Sequence, residues 1–141
     1  MGIPLSLLDR SRTRQGHTDS AALHQTVERA RRAEEVGFHR FWVSEHHGVP
    51  GVASGTPALL AQAVAAATNT IRVGSGGVML PNHRPIVVAE EFAVLTALQA
   101  SVSTWVWGAP WASPNRCAKR SARCRPGREN SRRPSMTSAS I

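Results

Sequence analysis

The sequence predicts an α/β fold in which strands and helices alternate along residues 1–100 and the strands form a parallel sheet. Short apolar segments alternate with longer segments whose apolar residues recur every three or four positions. Glycine- and proline-containing turn sequences separate the two kinds of segment. Three βα units fit into this region, and parallel βα units bring the C-terminal ends of their strands to one edge of the sheet.

The first unit begins with the apolar residues 3–8, whose length and flanks favour a buried strand. After a polar loop, Thr18 and Asp19 are candidates for the N-cap of a helix, and Gly37 is a typical helix stop. The apolar positions of this helix fall on one face: Ala22, Leu23, Thr26, Val27, Ala30 and Ala33.

The second unit consists of a strand over residues 38–45, a loop over 47–55 and an Ala-rich helix that opens at Thr56-Pro57 and ends near Thr68. In the third unit, residues 71–75 form a strand, residues 76–83 a loop, and a helix runs from Pro85 to about Leu98. We expect one buried face of this last helix to carry Val88, Phe92, Leu95 and Leu98.

Repeated βα units occur in doubly wound sheets and in closed eight-stranded barrels. Gly74, Gly76 and Gly77 lack the G-x-G-x-x-G spacing and do not directly precede a helix, so a dinucleotide-binding sheet is the weaker choice.

Composition separates the chain into residues 1–100 and residues 101–141. The formal charge of the 141-residue chain is +8. The first part has nine Arg and eight acidic residues, whereas the second has eight basic residues and a single acidic one. No apolar run reaches the roughly 18 residues of a membrane span, and no secretory signal begins the chain, so we expect a cytoplasmic protein. Cys117 and Cys124 are too few for a disulfide framework and lack a nearby His for zinc.

Two segments at predicted strand ends carry ionisable or flexible residues. In Ser44-Glu-His-His47, an imidazole suits proton transfer, although a solvated or hydrogen-bonded loop gives the same pattern. A metal site is a further option here, but the sequence shows no obvious partner cluster for a metal, so no metal ligand is predicted. Gly74, Gly76 and Gly77 permit unusual backbone angles and close approach of a flat ligand, or form a structural turn, and Asn82-His83 follows them.

Taken together, these segments resemble the bacterial luciferase-like, flavin-dependent monooxygenases, in particular their single-chain oxidoreductase branch. The resemblance covers residues 1 to about 98 in order. It rests on Ile3-Pro-Leu-Ser-Leu-Leu-Asp9, Phe41-Trp-Val-Ser-Glu-His-His47, Pro50-Gly-Val-Ala-Ser54, Ile71-Arg-Val-Gly-Ser-Gly-Gly-Val-Met-Leu-Pro-Asn-His83 and Val88-Ala-Glu-Glu-Phe92.

The resemblance implies the N-terminal part of a (β/α)8 TIM barrel in which reduced flavin, over the strand ends, reacts with O2 and oxygenates a small organic substrate. It implies FMN as the cofactor, with coenzyme F420 as the alternative, and a homodimer formed through the helices after strands 2 and 3. His46 matches the catalytic histidine beside the flavin, with Glu45 as its neighbour, and the Gly76-Gly77 bond matches a cis peptide under the flavin ring. The cofactor-binding positions are Ser75, Gly76, Gly77 and His83.

The resemblance stops after Leu98, where the family continues into a strand with a pattern like Gly-Arg-Ile-Asp-Leu-Gly-Leu-Gly-Arg-Ala. The codons of Trp105-Val-Trp-Gly-Ala-Pro-Trp111, shifted back by one nucleotide, allow Leu-Gly-Leu-Gly-Arg-Ala-Leu. We therefore expect residues from about 99 to 141 to be frameshifted and the basic tail, residues 101–141, to be disordered.

Two consequences follow for function. Ala109 stands where the family pattern has an Arg that contacts flavin, and strands 5 to 8 are absent, so we expect little or no activity from this polypeptide. The alternative function is a non-enzymatic basic protein whose Arg- and Trp-containing tail binds nucleic acid, which we consider the weaker hypothesis.

Overall fold

Parallel strands and helices alternate in the computed structural model, which describes residues 3–99 and the backbone of residues 102–108. These belong to the first of two units, Met1–Pro110; the second, Trp111–Ile141, lies outside the described residues. The elements are β1 (Ser6–Asp9), α1 (Asp19–Glu35), β2 (Arg40–Val43), α2 (Pro57–Ala66), β3 (Arg72–Met79), a 3-10 turn (Leu80–Asn82), α3 (Pro85–Leu98) and β4 (Val102–Gly108). The predicted βα alternation is confirmed.

The strands lie side by side in chain order, β1-β2-β3-β4, and every pairing is parallel. The register aligns Leu7 with Phe41 and Phe41 with Val73. A doubly wound sheet reverses its strand order at a switch point, whereas a barrel adds each strand beside the previous one. The described strands therefore have the sequential order of a (β/α)8 barrel, as the sequence predicted.

Helix α1 forms where the sequence predicts it, because its N-cap, its stop at Gly37 and its apolar face all indicate the same helix. The Thr18 side chain accepts a hydrogen bond from the Ala21 N–H at 3.1 Å, which makes Thr18 the N-cap. Gly37, directly after the helix, has a φ of 83°, which glycine adopts without steric cost. The buried positions of α1 are Ala22, Thr26, Ala30 and Ala33.

The core lies between the sheet and the helices that cover it. Phe41, Val43 and Val73 on the strands are completely buried, and they form one cluster with Val64 of α2 and Leu95 of α3. At roughly 25 cal/mol per Å² of buried apolar area, such side chains supply most of the stabilisation of this layer.

Two burial predictions are wrong. Leu98 is 67% exposed, because the apolar face of α3 ends one turn earlier, at Leu95. The first strand is not fully buried either: Leu8 is 55% exposed, since β1 lies at the edge of the described sheet and pairs there only with β2.

Two boundaries also differ from the sequence-based expectation. β3 continues through the predicted loop as far as Met79, because Gly76, Val78 and Met79 pair with β4 beyond Ser75, the last β3 residue that pairs with β2. The predicted disordered tail includes β4, which pairs with β3 from Val102 to Gly108. Its alternation of β-branched and aromatic residues favours a strand. The rest of the tail, with the predicted frameshift and nucleic-acid arm, lies outside the described residues.

Across the described residues, no helix has both the length and the apolar character that crossing a membrane requires.

Candidate active site

A buried carboxylate organises the C-terminal edge of the sheet. Glu45 follows β2 by two residues, and its side chain is completely inaccessible to solvent. Its Oε1 accepts hydrogen bonds from Nε2 of His47 at 2.5 Å and from Nε2 of His83 at 2.7 Å. Its Oε2 accepts one from the Met79 N–H at 2.7 Å. One side chain thus connects the segment after β2 to the end of β3 and to the 3-10 turn.

The Glu45 carboxylate stays ionised although it is buried. Burial is the largest influence and acts to raise its pKa, but the hydrogen bonds from His47, the Met79 N–H and His83 together outweigh it and lower the pKa below the ordinary value of 4.5. The edge therefore holds a negative charge, shielded from water, with two imidazoles against it.

His46 has different surroundings from the histidine that follows it. Its side chain is half-buried. The main-chain N–H of His46 donates a hydrogen bond to the Ser54 carbonyl at 2.7 Å. Burial lowers the pKa of His46, and the nearby Arg10 and His47 lower it further, against an opposing effect of Glu45. At pH 7 His46 is therefore a neutral imidazole, which can both accept and donate a proton.

Two glycines of β3 follow the last residue that pairs with β2. Val43 pairs with Ser75, and Gly76 and Gly77 come directly after Ser75 in the chain. The Gly76-Gly77 peptide bond is cis, as the resemblance implies. Ser75 is completely buried and its hydroxyl donates to the Val43 carbonyl at 3.4 Å, so the hydroxyl joins β3 to β2.

The loops after β1 and β2 are joined by main-chain hydrogen bonds. The Ala53 N–H donates to the Ser11 carbonyl at 3.0 Å, and the Thr13 N–H donates to the Gly51 carbonyl at 2.9 Å. The Ser54 hydroxyl adds a bond to the Arg10 carbonyl at 3.2 Å. Together with the His46–Ser54 bond, these contacts fix the backbone of His46 to the loop after β1.

Only some of the predicted site residues meet. Glu45 and His83 are in direct contact, although 38 positions separate them in the sequence. His46, the predicted catalytic histidine next to Glu45 in the sequence, makes no hydrogen bond to that carboxylate among the described contacts. Successive side chains of an extended backbone lie on opposite sides of the chain, and this alternation separates the His46 side chain from those of Glu45 and His47.

The sequence-based prediction missed His47. The same alternation places Glu45 and His47 on the same side of the chain. This period of two is the signal from which His47 could have been predicted. Oxygen and nitrogen atoms of Glu45, His47 and His83 lie within 4.8 Å of one another. His83 is the partner that spacing along the sequence did not reveal.

Comparisons with known proteins identify the relatives of this chain. A family model described as "Luciferase-like monooxygenase" matches residues 3–99. The YvbT protein of Bacillus subtilis is 49% identical over 94 residues, which cover 67% of this chain and 28% of that protein. The "Luciferase-like monooxygenase" of Escherichia coli K12 is 45% identical over 96 residues, or 68% of this chain and 29% of that protein.

A solved structure shows the same fold. It is the oxygenating constituent of 3,6-diketocamphane monooxygenase from Pseudomonas putida, in complex with FMN. The TM-score is 0.73 at 22% identity, and the match covers 79% of this chain and 31% of that one. The chain thus spans less than a third of the length of the curated relatives that it matches.

Proposed function

Because the chain belongs to the luciferase-like monooxygenase family, we propose that it forms the N-terminal part of a flavin-dependent monooxygenase. In this function, reduced flavin and O2 together oxidise a small organic substrate. The observation that supports it best is the sheet edge itself. His46, whose pKa is lowered, follows β2, and Gly76 and Gly77 follow Ser75, the β3 residue that pairs with the end of β2. The family is one of enzymes, and the residues at this edge support proton transfer and the binding of a flat ring as their roles.

The residues of this edge fit a flat ring system. Gly76 and Gly77 present main chain without side chains, so that a ring can approach the peptide planes. A Cβ atom added at Gly76 would lie 3.4 Å from Cβ of Trp42 and 3.5 Å from Cδ1 of Leu8. Little space therefore remains on the side of β3 toward which a side chain at Gly76 would project. When bound, reduced flavin supplies the electrons that activate O2.

The protein's own groups have distinct roles in this proposal. His46 is the catalytic residue, since its neutral imidazole can hold or deliver a proton beside the ring. Glu45 is a positioning residue, because it fixes the His83 and His47 rings. His83 then borders the cofactor, and Ser75 contributes by holding β3 against β2.

Flavin titration tests this proposal. FMN fluorescence is followed while the full chain is added, with His46→Gln as the variant and His39→Gln as the control at the opposite end of β2. Loss of one hydrogen bond of about 1 kcal/mol predicts roughly fivefold weaker binding for His46→Gln and no change for His39→Gln. Equal affinities of all three proteins, or no saturable binding, would contradict a flavin site at this edge.

FMN is the cofactor that we favour, with F420 as the alternative. The support is the FMN named in the diketocamphane monooxygenase structure, whose fold this chain shares. Parallel titrations with FMN and F420 compare the two directly, and tighter binding of F420 would reverse the assignment.

The helices α2 and α3 supply the surface for the proposed homodimer. A groove of about 450 Å³ runs between them. Its apolar border includes Leu59, Val94 and Leu98, which are 70%, 59% and 67% exposed. Sedimentation of the chain and of Leu59→Glu tests whether this face pairs two copies, and Val36→Glu, at the exposed C-cap of α1, is the control. A monomer at all concentrations would contradict the proposal.

A further inference from the structure

We propose that Glu45, His47 and His83 form a binding site for a divalent transition-metal ion of the zinc type. Oε1 of the carboxylate and one ring nitrogen of each histidine converge, all within 4.8 Å of one another. This inference does not depend on flavin binding, because it rests on the donor atoms alone.

The donor set selects the class of metal. Imidazole nitrogen suits zinc, copper, nickel and iron, whereas magnesium and calcium prefer sites made of oxygen alone. Two histidines and one carboxylate supply three ligands and leave further positions open for water or another molecule. The site is therefore of the open kind.

The distances suit such an ion after a small adjustment. The Nε2 atoms of His47 and His83 lie 2.5 and 2.7 Å from the same Oε1. Metal–nitrogen and metal–oxygen bonds of about 2.0–2.2 Å require these donors to separate by several tenths of an ångström. His47 lies directly before Gly48, whose φ of 62° marks a turn, so the histidine belongs to a loop rather than to the sheet. The ion would replace the two hydrogen bonds that Nε2 of His47 and Nε2 of His83 donate to the carboxylate.

Burial and charge favour the same conclusion. The Glu45 side chain has no solvent exposure, whereas those of His47 and His83 are 36% and 25% exposed. A buried charge in a protein is paired or coordinates a metal. The cation would enter from the histidine side and neutralise the carboxylate. The Met79 N–H, 2.7 Å from Oε2, would keep the carboxylate oriented, as outer-sphere hydrogen bonds do in metal sites.

The test is Zn²⁺ titration by calorimetry, with the full chain in a Cys117→Ser/Cys124→Ser background. This background removes both cysteines of the chain, because thiolates are common zinc ligands and would compete with the proposed site. We expect one ion per chain, about tenfold or more weaker binding in His83→Gln, and unchanged binding in the control His24→Gln on α1. The proposal would be overturned if the chain with its cysteines binds zinc but the Cys117→Ser/Cys124→Ser chain does not. It would also be overturned if His24→Gln weakens binding as much as His83→Gln.

A second measurement needs no substitution at the site, so it remains informative if a variant fails to fold. Co²⁺ is added to the same cysteine-free chain while the histidine ring signals are followed by NMR. The signals of His47 and His83 are expected to shift or broaden first, and that of His24 to remain sharp until Co²⁺ is in excess. Early effects confined to other histidines would refute the site.

Discussion

Replacing Glu34 by Gln should destabilise the fold at neutral pH and have little effect in acid. The Glu34 carboxylate joins the end of α1 to the turn before β3. Its Oε1 accepts hydrogen bonds from the main-chain N–H groups of Asn69 at 2.9 Å, Thr70 at 2.5 Å and Ile71 at 2.9 Å, and from the Thr70 hydroxyl at 3.0 Å. The Glu34→Gln substitution would keep the shape of the side chain but remove the charge that these donors stabilise.

The magnitude follows from the pKa of this carboxyl. Burial acts to raise it, but the main-chain and hydroxyl donors prevail and lower it from 4.5 to about 2. Without screening by solvent, that difference would correspond to roughly 3 kcal/mol, which is an upper bound. Because solvent reaches the side chain and screens the interaction, we expect about 1–2 kcal/mol. A group whose pKa is lowered in the folded state stabilises the fold above its unfolded pKa, so this contribution is complete above pH 4.5 and is lost as the pH falls towards 2.

Urea unfolding followed by circular dichroism measures this effect between about pH 7 and about pH 3. The control is Glu35→Gln, an exposed neighbour on the same helix, which should change the free energy of unfolding by no more than about 0.5 kcal/mol. The reasoning is refuted if the Glu34→Gln difference is as large at the acid end as at pH 7, or if Glu35→Gln is equally destabilising.

Three further substitutions test the local structure by the same unfolding measurement. Thr18→Ala removes the N-cap acceptor of α1 and should cost about 1 kcal/mol, whereas Ser20→Ala, inside the first turn, should cost less. Gly37→Ala meets no neighbouring atom but keeps a positive φ, so a loss of about 1 kcal/mol would come from the backbone alone; an unchanged stability would contradict this. Thr26→Val removes a buried hydroxyl 2.9 Å from that of Ser11 and should cost about 1–3 kcal/mol, and a neutral result would mean that the bond contributes nothing.

Local signals predicted most of the fold. Caps and stops such as Thr18 and Gly37 act within a few residues, and the periodic face of α1 is a property of the helix alone. The extension of β3 through its glycines was not predictable in this way. Gly74 pairs with β2 and β4, and Gly76 pairs with β4. Pairing between distant segments leaves no mark in the local pattern.

The candidate site shows the same division. Its position at the C-terminal strand edge, and the presence of Glu45, followed from the expected βα order. The contact between Glu45 and His83 required knowing how far β3 runs, since Met79 and the 3-10 turn bring the histidine back over the carboxylate. The resemblance named His46, but only the three-dimensional arrangement distinguished its surroundings from those of His47.

The hydrogen bonds between the loops after β1 and β2 have a consequence for evolution and engineering. His46 is anchored through Ser54, and the same loop is attached to Ser11 and Thr13. An insertion in either loop would therefore displace the imidazole even when every residue near it is unchanged. Amide hydrogens of Thr13, His46 and Ala53 should exchange with solvent at similar rates, as parts of a single opening unit.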